Sequence, residues 1–480
     1  MGEASVGRSA WVRLVLAPVL VALVFISAQA LRKPLRAPYL DEFYYLVIAR
    51  DLSLHGVFTD GMFKRGPFGT RAGPDHVGDE RVEWAKPGRF FAPAYPILAY
   101  TVGRLDGKVA TAVRCHVAKA ELPEQKTCPN TFGSLVAVNI LLWAVAMFAV
   151  FEMARRLSRS ETVAWLAMII ALASGEAGYY ARTYLSENTT VPAFLLFMLG
   201  AMCAVESGRV RHYAGAGVAL GIASLSRPAY AYLFYLLAPA LVLLALFARR
   251  RWPALPSVTA ANAFMVATFA VLAPWMLRNQ IQFGDPTLSR GYAEVILLQR
   301  VSYNQMSLAE WFVAWIYWLP DFGDEIAKVL FPKRLYELLG WTHPSNYYLD
   351  GGGGGFRERI LKEAGNEAAV LGLLYKKYLF GDLPRHIMVS LPLTMRGLGV
   401  AKYLSVAGVI LAWPVARQLY AAGRLPVFLA MALPPLLMAG LHGFVSVNIE
   451  RYNLPMLAVY AAIVALALAE AWRRWRLRDA

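Results

Sequence analysis

Two adjacent carboxylates, Asp41 and Glu42, stand in LRAPYLDEFYYLVIARDL just past the first apolar run of a 480-residue chain, Leu14 to Leu31. Ionisable groups at the mouth of a membrane span are costly to keep there and mark functional positions. An ionised acid so placed can take a proton from a hydroxyl, which points to acid/base chemistry at a bilayer surface. Asp41 follows Pro38 and is predicted to open a helix, where the partial positive charge of the N-terminus favours the ionised form. Neighbouring helical residues project about 100° apart, so the two acids cannot both aim at one atom. One is expected to act on an acceptor and the other to orient it; the bland alternative is an N-cap followed by a solvated first-turn acid.

Further ionisable residues gather near predicted helix ends on the same side: Lys86, Arg89, Arg182, Glu187, Arg227, Arg278 and Arg451. Carboxylates and guanidinium groups together supply what a lipid-linked phosphosugar requires, a base for the incoming hydroxyl and cations for the departing phosphate. Singly, Arg227-Pro228 and Arg451-Tyr452 also suit interfacial anchors that snorkel toward headgroups. No P-loop or dinucleotide fingerprint is present, which argues against a nucleotide bound in the cytosol. His55, His76 and His116 lie near Asp75, Asp79 and Glu80 without a metal-binding spacing, so no cofactor is expected and a divalent metal lacks support. Asn188-Thr189-Thr190 fits a glycosylation sequon but abuts a span and reads as incidental.

These residues must be positioned by membrane helices. The chain is 58% hydrophobic and only 17% charged, the profile of an all-α polytopic membrane protein. Apolar runs at roughly 14–31, 132–153, 162–177, 190–205, 213–226, 229–248, 260–277, 398–416, 427–441 and 454–471 predict about ten transmembrane helices. Every second short connection is basic, through Arg155, Arg156 and Arg159, Arg209 and Arg211, Arg249 to Arg251, and Arg417 and Arg424, and the C-terminal tail adds Arg473, Arg474, Arg476 and Arg478. The net charge of +16 is thereby topological and not a nucleic-acid surface; it puts both termini in the cytosol and two long segments, 32–131 and 278–397, outside. The first run, with Ser27 to Ala30 at its end, competes with a secretory signal.

Within the outward segments, SLAEWFVAWIYWLPDF is predicted to lie in the headgroup region, and Gly351 to Gly355 read as a floppy loop or, more sharply, as the hinge of a lid. Gly217 and Gly221 predict a close helix contact. Cys203 falls in an apolar run, whereas Cys115 and Cys128 share a polar outward stretch where a disulfide could form; the spacing leaves that pairing open.

Taken together, the motifs resemble the GT-C superfamily of polyprenyl-phosphate-sugar-dependent glycosyltransferases, in the protein O-mannosyltransferase and aminoarabinose transferase branch. YLDEFYYLVIARDL is similar to the first outward helix of that family with its acidic motif, KPGRFFAPAYPILAYTVGRLDG to the second outward segment, and YYARTYLSEN to the loop that supplies a second acid, here Glu187. SRPAY, APWMLRNQIQFGDP and ERYNLPML complete the likeness. An insertion around Gly61 to Glu80 and the Cys115/Cys128 pair depart from it. The resemblance implies one GT-C-like transmembrane domain over 1–480 with amphipathic helices on the periplasmic face. It implies an inverting glycosyltransferase of the cytoplasmic (inner) membrane, moving sugar from a polyprenyl-phosphate donor to a lipid, glycan or protein acceptor of the cell envelope. Asp41, Glu42 and Glu187 are then expected to be catalytic, and Lys86, Arg89, Tyr95, Arg182, Arg227, Arg278, Asn279, Arg451 and Tyr452 to bind substrate, with Lys86, Arg278 and Arg451 on the phosphate. The alternative is a transporter or flippase of an anionic lipid or solute using the same charges.

Overall fold

A computed structural model of the chain describes residues 12–39, 41–61, 87–121, 127–248, 256–348 and 355–477. Lys86, the Asp75/His76/Asp79/Glu80 group, Arg249 to Arg251, Gly351 to Gly354 and Arg478 lie outside those residues. The regular elements among the described residues are all helices. A first helix, α1 (Val12–Ala30), leads into α2 (Asp41–His55), α3 (Ala94–Leu105) and α4 (Gly107–Glu121) of the first long segment. There follow α5 (Gly133–Ser158), α6 (Glu161–Ala173), the short α7 (Glu176–Ala181), α8 (Glu187–Ser207), α9 (Val210–Ser226), α10 (Pro228–Phe247) and α11 (Val258–Phe283). The second long segment contributes α12 (Tyr292–Ser302), α13 (Leu308–Tyr317), α14 (Gly323–Leu330), α15 (Phe356–Ala364), α16 (Glu367–Leu373) and α17 (Leu383–Leu398). Three more, α18 (Tyr403–Ala421), α19 (Leu425–Val445) and α20 (Met456–Arg476), complete the bundle.

All ten predicted runs are helices. Eight of them, α1, α5, α8, α10, α11, α18, α19 and α20, are long and apolar enough to cross a membrane. The other two, α6 and α9, have 13 and 17 residues. α6 starts on a Ser160 cap that accepts the Val163 N–H, and Gly175 with φ 79° turns the chain into α7. α5, α8 and α20 form the centre of the main core, where Trp143, Phe151, Phe194, Met198 and Ala461 are buried to 1% exposure or less. α9 lies close against α11: a Cβ on Gly217 would stand 2.4 Å from the Phe264 carbonyl oxygen, and one on Gly221 2.7 Å from Val271. The small-residue spacing is therefore a helix contact, as the sequence suggested.

Charge separates the two ends of the bundle. At one, Glu206 accepts Arg156 at 2.8 Å and also Arg424, and Glu152 holds Arg155 and Arg156 at 2.6 and 2.8 Å, which gathers the α5–α6, α8–α9 and α18–α19 connections. The other end carries both long segments, joined by an Arg89–Asp285 ion pair at 2.9 Å and by the Arg290 N–H donating to the Arg89 carbonyl. Here Cys115 and Cys128 form a disulfide, with Cα atoms 5.6 Å apart. Here too α13 opens on a Ser307/Glu310 capping box, the reciprocal pairing that satisfies two orphan N–H groups. It buries Val313 and Ala314 and exposes Leu308 and Phe312, the two-faced pattern expected of a headgroup helix.

One residue ties the helices of the second segment to the bundle. Arg300 of α12 is wholly buried; its Nε donates to the Gly443 carbonyl at 2.7 Å, Nη1 to Asn304 at 2.9 Å, and Nη2 to the His386 carbonyl and the Ser390 hydroxyl at 2.8 and 2.7 Å. α12, α17 and α19 are thus bonded together through one guanidinium without a carboxylate.

The α9–α11 contact yields a first expectation. Gly217→Leu should destabilise the protein by about 1–3 kcal/mol through overpacking, read as a lower melting temperature in detergent, whereas Gly215→Leu on the same helix, with nothing near its missing Cβ, should not.

Candidate active site

Four charged side chains from distant parts of the chain meet at the segment-bearing end. Asp41 is the first residue of α2, Glu187 the first of α8, Arg227 sits in the break between α9 and α10, and Arg451 in a 3₁₀ turn, Glu450–Asn453, before α20. Glu187 Oε1 accepts Arg227 Nη2 at 2.8 Å and lies 3.5 Å from Arg451 Nε. Arg451 Nη2 donates to Asp41 Oδ2. Two acids and two arginines make the group neutral. The Arg227 guanidinium lies 4.5 Å over the Tyr452 ring, a cation–π contact that holds it in place. Burial pulls the Arg451 guanidinium toward losing its proton, but Glu187, Tyr452 and Asp41 outweigh this and keep it charged. Burial and the Glu187 charge push the Tyr45 phenol up to about 12, so it stays neutral beside the group and donates to Ser186 Oγ.

The two acids of the first pair have parted. Asp41 is half exposed, at 48% of its side chain. Glu42 is 2% exposed and accepts Arg36 at 2.5 and 2.8 Å, the Tyr39 N–H at 2.9 Å and the Tyr184 N–H at 3.1 Å. Its carboxylate fastens the start of α2 to the 181–187 turn. The same turn is bonded from beneath: Asn139 donates to the Ala181 and Thr183 carbonyls at 3.1 Å, Asn188 donates to Thr183 at 2.8 Å while accepting the Trp143 indole N–H, and the Tyr95 hydroxyl reaches Thr183 at 3.4 Å. Tyr95 therefore belongs to the support of Glu187. Arg182 donates to the Pro34 carbonyl at 2.6 Å and tethers the chain leaving α1. Asn188, with both ends of its amide occupied and no exposure, is not a glycan acceptor in this fold.

Arg89, Arg278 and Asn279 form a second cluster. Arg278 donates to the Gly88 and Phe58 carbonyls at 2.6 and 3.1 Å and stacks 4.6 Å from the Trp275 ring. Arg89 pairs with Asp285, and Asn279 donates to the Thr287 carbonyl at 2.7 Å. Asp60, raised by burial, takes the Arg89 and Phe90 N–H groups at 2.5 and 2.7 Å. These contacts hold the 285–290 segment against residues 88–90, and the contacts of Arg278 run to residues 58, 88, 275, 279 and 283 and not, as its expected grouping would require, to Arg451. Lys86, the third member of that grouping, lies outside the described residues.

Next to the neutral cluster is a cavity of about 310 Å³, with Arg227 and Tyr452 at its polar edge. Ala231, Leu288, Ile296, Leu297 and Val445 give it apolar walls. Two more lining residues, Tyr232 and Tyr235, are over half exposed on the outer face of α10, so one wall coincides with the side of the bundle. His442, also lining it, is 3% exposed and its Nδ1 has no hydrogen-bond partner. Sequence reading missed His442; its only signal was a polar residue inside the apolar run of α19. Among the described residues no group of three or more His, Cys, Asp or Glu side chains is arranged to hold a metal, and no catalytic step is assigned to one.

Residues 129–276 match the dolichyl-phosphate-mannose-protein mannosyltransferase family. The match covers just under a third of the chain and includes Glu187 and Arg227, and over that stretch it bears out the resemblance drawn from the motifs. The chain is also similar to the archaeal oligosaccharyltransferase AglB from Archaeoglobus fulgidus, solved with an inhibitory peptide and a dolichol-phosphate, at 13% identity and a TM-score of 0.49, covering 98% of this chain and 52% of that one. Against ArnT from Cupriavidus metallidurans bound to undecaprenyl phosphate the identity is 14% and the TM-score 0.38, covering 95% of this chain and 77% of that one. The chain spans about half the length of the archaeal oligosaccharyltransferases it matches. A search of curated proteins finds no match.

The Glu42 clamp gives the expectation for this region. Glu42→Gln and Arg36→Ala should each cost about 1–3 kcal/mol, since breaking a buried ion pair strands its partner and Arg36 is only partly shielded. In a double-mutant cycle followed by thermal unfolding, the two losses should be strongly non-additive.

Proposed function

We propose that this protein is an inverting glycosyltransferase that moves a sugar from a polyprenyl-phosphate donor to a hydroxyl acceptor on the extracytosolic side of the membrane. The observation that carries the reading is the convergence of Asp41, Glu187, Arg227 and Arg451 in one ion-paired group, of which Arg227 lines the neighbouring apolar cavity. A donor with an isoprenoid tail and a phosphate head fits such a site chemically: the tail in the cavity, entering from the face lined by Tyr232 and Tyr235, and the phosphate against the two arginines. The mannosyltransferase match over 129–276 is consistent with a lipid-phosphate sugar donor.

In this reading Asp41 is the general base, because it is the one acid of the cluster with substantial access to solvent. The acceptor hydroxyl gives its proton to Asp41 as its oxygen bonds to the anomeric carbon. The bond from that carbon to the phosphate oxygen breaks, and the phosphate leaves with the electron pair, stabilised by Arg227 and Arg451. A single displacement inverts the anomeric centre. Glu187 orients both arginines, and Glu42 acts as a positioning residue that fixes the start of α2.

Two features support this orientation. The arginine-rich connections favour the cytosol, and the Cys115–Cys128 disulfide at the opposite end favours an oxidising compartment. Protein, lipid and glycan hydroxyls all suit the base, and the envelope outside the membrane offers each.

The test is reconstitution with a panel of polyprenyl-phosphate sugars. Wild type should transfer or hydrolyse at least one donor, and Asp41→Asn should lose about 10²–10⁴-fold in turnover. Equal turnover in both proteins would remove Asp41 as the base. Vesicle-to-vesicle flipping of the donor without any cleavage would favour the transporter instead.

A further inference from the structure

We infer that Arg451 masks the base until a donor phosphate takes it away: the Asp41–Arg451 ion pair is the resting state of the site, and phosphate binding exchanges Asp41 for a phosphate oxygen. The inference rests on the proposed donor chemistry and concerns how that same site is switched on.

Arg451 is shared between two carboxylates of unequal hold. Glu187 is 2% exposed at its side chain and is also bonded to Arg227 at 2.8 Å. Asp41 is 48% exposed, and its one hydrogen bond from a side chain among the described residues comes from Arg451. Half-exposed ion pairs are worth about 0–1 kcal/mol, whereas stripping a buried carboxylate from its cations costs several times that. An arriving anion that competes for Arg451 therefore displaces Asp41 and leaves Glu187 in place.

The site is also prepared to receive such an anion. The Arg451 Nε–H is buried and makes no hydrogen bond, its distance to Glu187 Oε1 being 3.5 Å. An oxygen placed against it would satisfy a donor that the ligand-free fold leaves unmet. Phosphate offers several such oxygens, and guanidinium groups bind it in two-pronged fashion. Once phosphate is present the group is no longer neutral, and like-charge repulsion drives the exposed carboxylate outward, toward the position of an acceptor hydroxyl. With no donor, Arg451 holds one oxygen of the Asp41 carboxylate and keeps the side chain at the cluster instead of at an acceptor hydroxyl.

The exchange makes a prediction that a purely structural role for Asp41 does not. Asp41→Asn should bind undecaprenyl phosphate about two- to fivefold more tightly than wild type, because the competitor for Arg451 is gone, even though its turnover is about 10²–10⁴-fold lower. Asp41→Ser, which keeps a small polar side chain at the start of α2, should show the same gain should the asparagine variant fold poorly. Undecaprenol, which has the tail without the charge, should gain nothing. Equal or weaker phosphate-lipid binding by both folded variants overturns the exchange, as does an equal gain for undecaprenol. Failure of wild type to bind undecaprenyl phosphate at any concentration overturns the donor assignment and the exchange with it, so the two failures are told apart by the wild-type arm.

Discussion

The fold depends on bringing charge to the edge of an apolar bundle without leaving any of it uncompensated. Asp41 and Arg451 are 410 residues apart in sequence, and Glu187 and Arg227 come from a third and a fourth place. Glu187 and Arg227, the buried members, could not sit at this depth alone, since stranding one partner of a buried ion pair costs several kcal/mol. Each chain break around them, before α2, before α8, between α9 and α10 and before α20, is therefore held by the need to deliver one member of a neutral set.

Support for that set comes in two layers. Below, Asn139, Asn188 and Trp143 use neutral amide and indole groups to hold the 181–187 turn, and their rigidity fixes where Glu187 can point. Above, Glu42 pulls Arg36, Tyr39 and Tyr184 together. The neighbouring acids of the first motif thus divide by depth: the buried one builds, and the half-exposed one, paired with Arg451, is the proposed base.

Much of this could be read from residue order. Ten apolar runs gave ten helices because membrane spans are written in uninterrupted hydropathy; of the four runs that were short in sequence, those of α6 and α9 stayed short, whereas flanking residues lengthened α8 and α19 to 21 residues each. Asp41, Glu187, Arg227 and Arg451 were visible because each is a charge at the end of such a run. What was not visible is partnership. Glu42 could not be told from Asp41, since Arg36 looked like one more basic residue of a loop. Arg278 was grouped with Arg451 because both are basic and outward, and sequence does not say that Arg278 is spent on the Gly88 and Phe58 carbonyls. Arg300 gave no signal at all, for its acceptors are carbonyls, a hydroxyl and an amide, groups found along any chain.

That last residue sets the two halves of the molecule apart in their response to acidity. The ion pairs of the charged cluster run through carboxylates, which acid can protonate; the Arg300 tie runs through acceptors that do not titrate in the acid range. Acid would loosen the charged cluster while the helices gathered by Arg300 stayed bolted together, so loss of the cluster need not begin with unfolding.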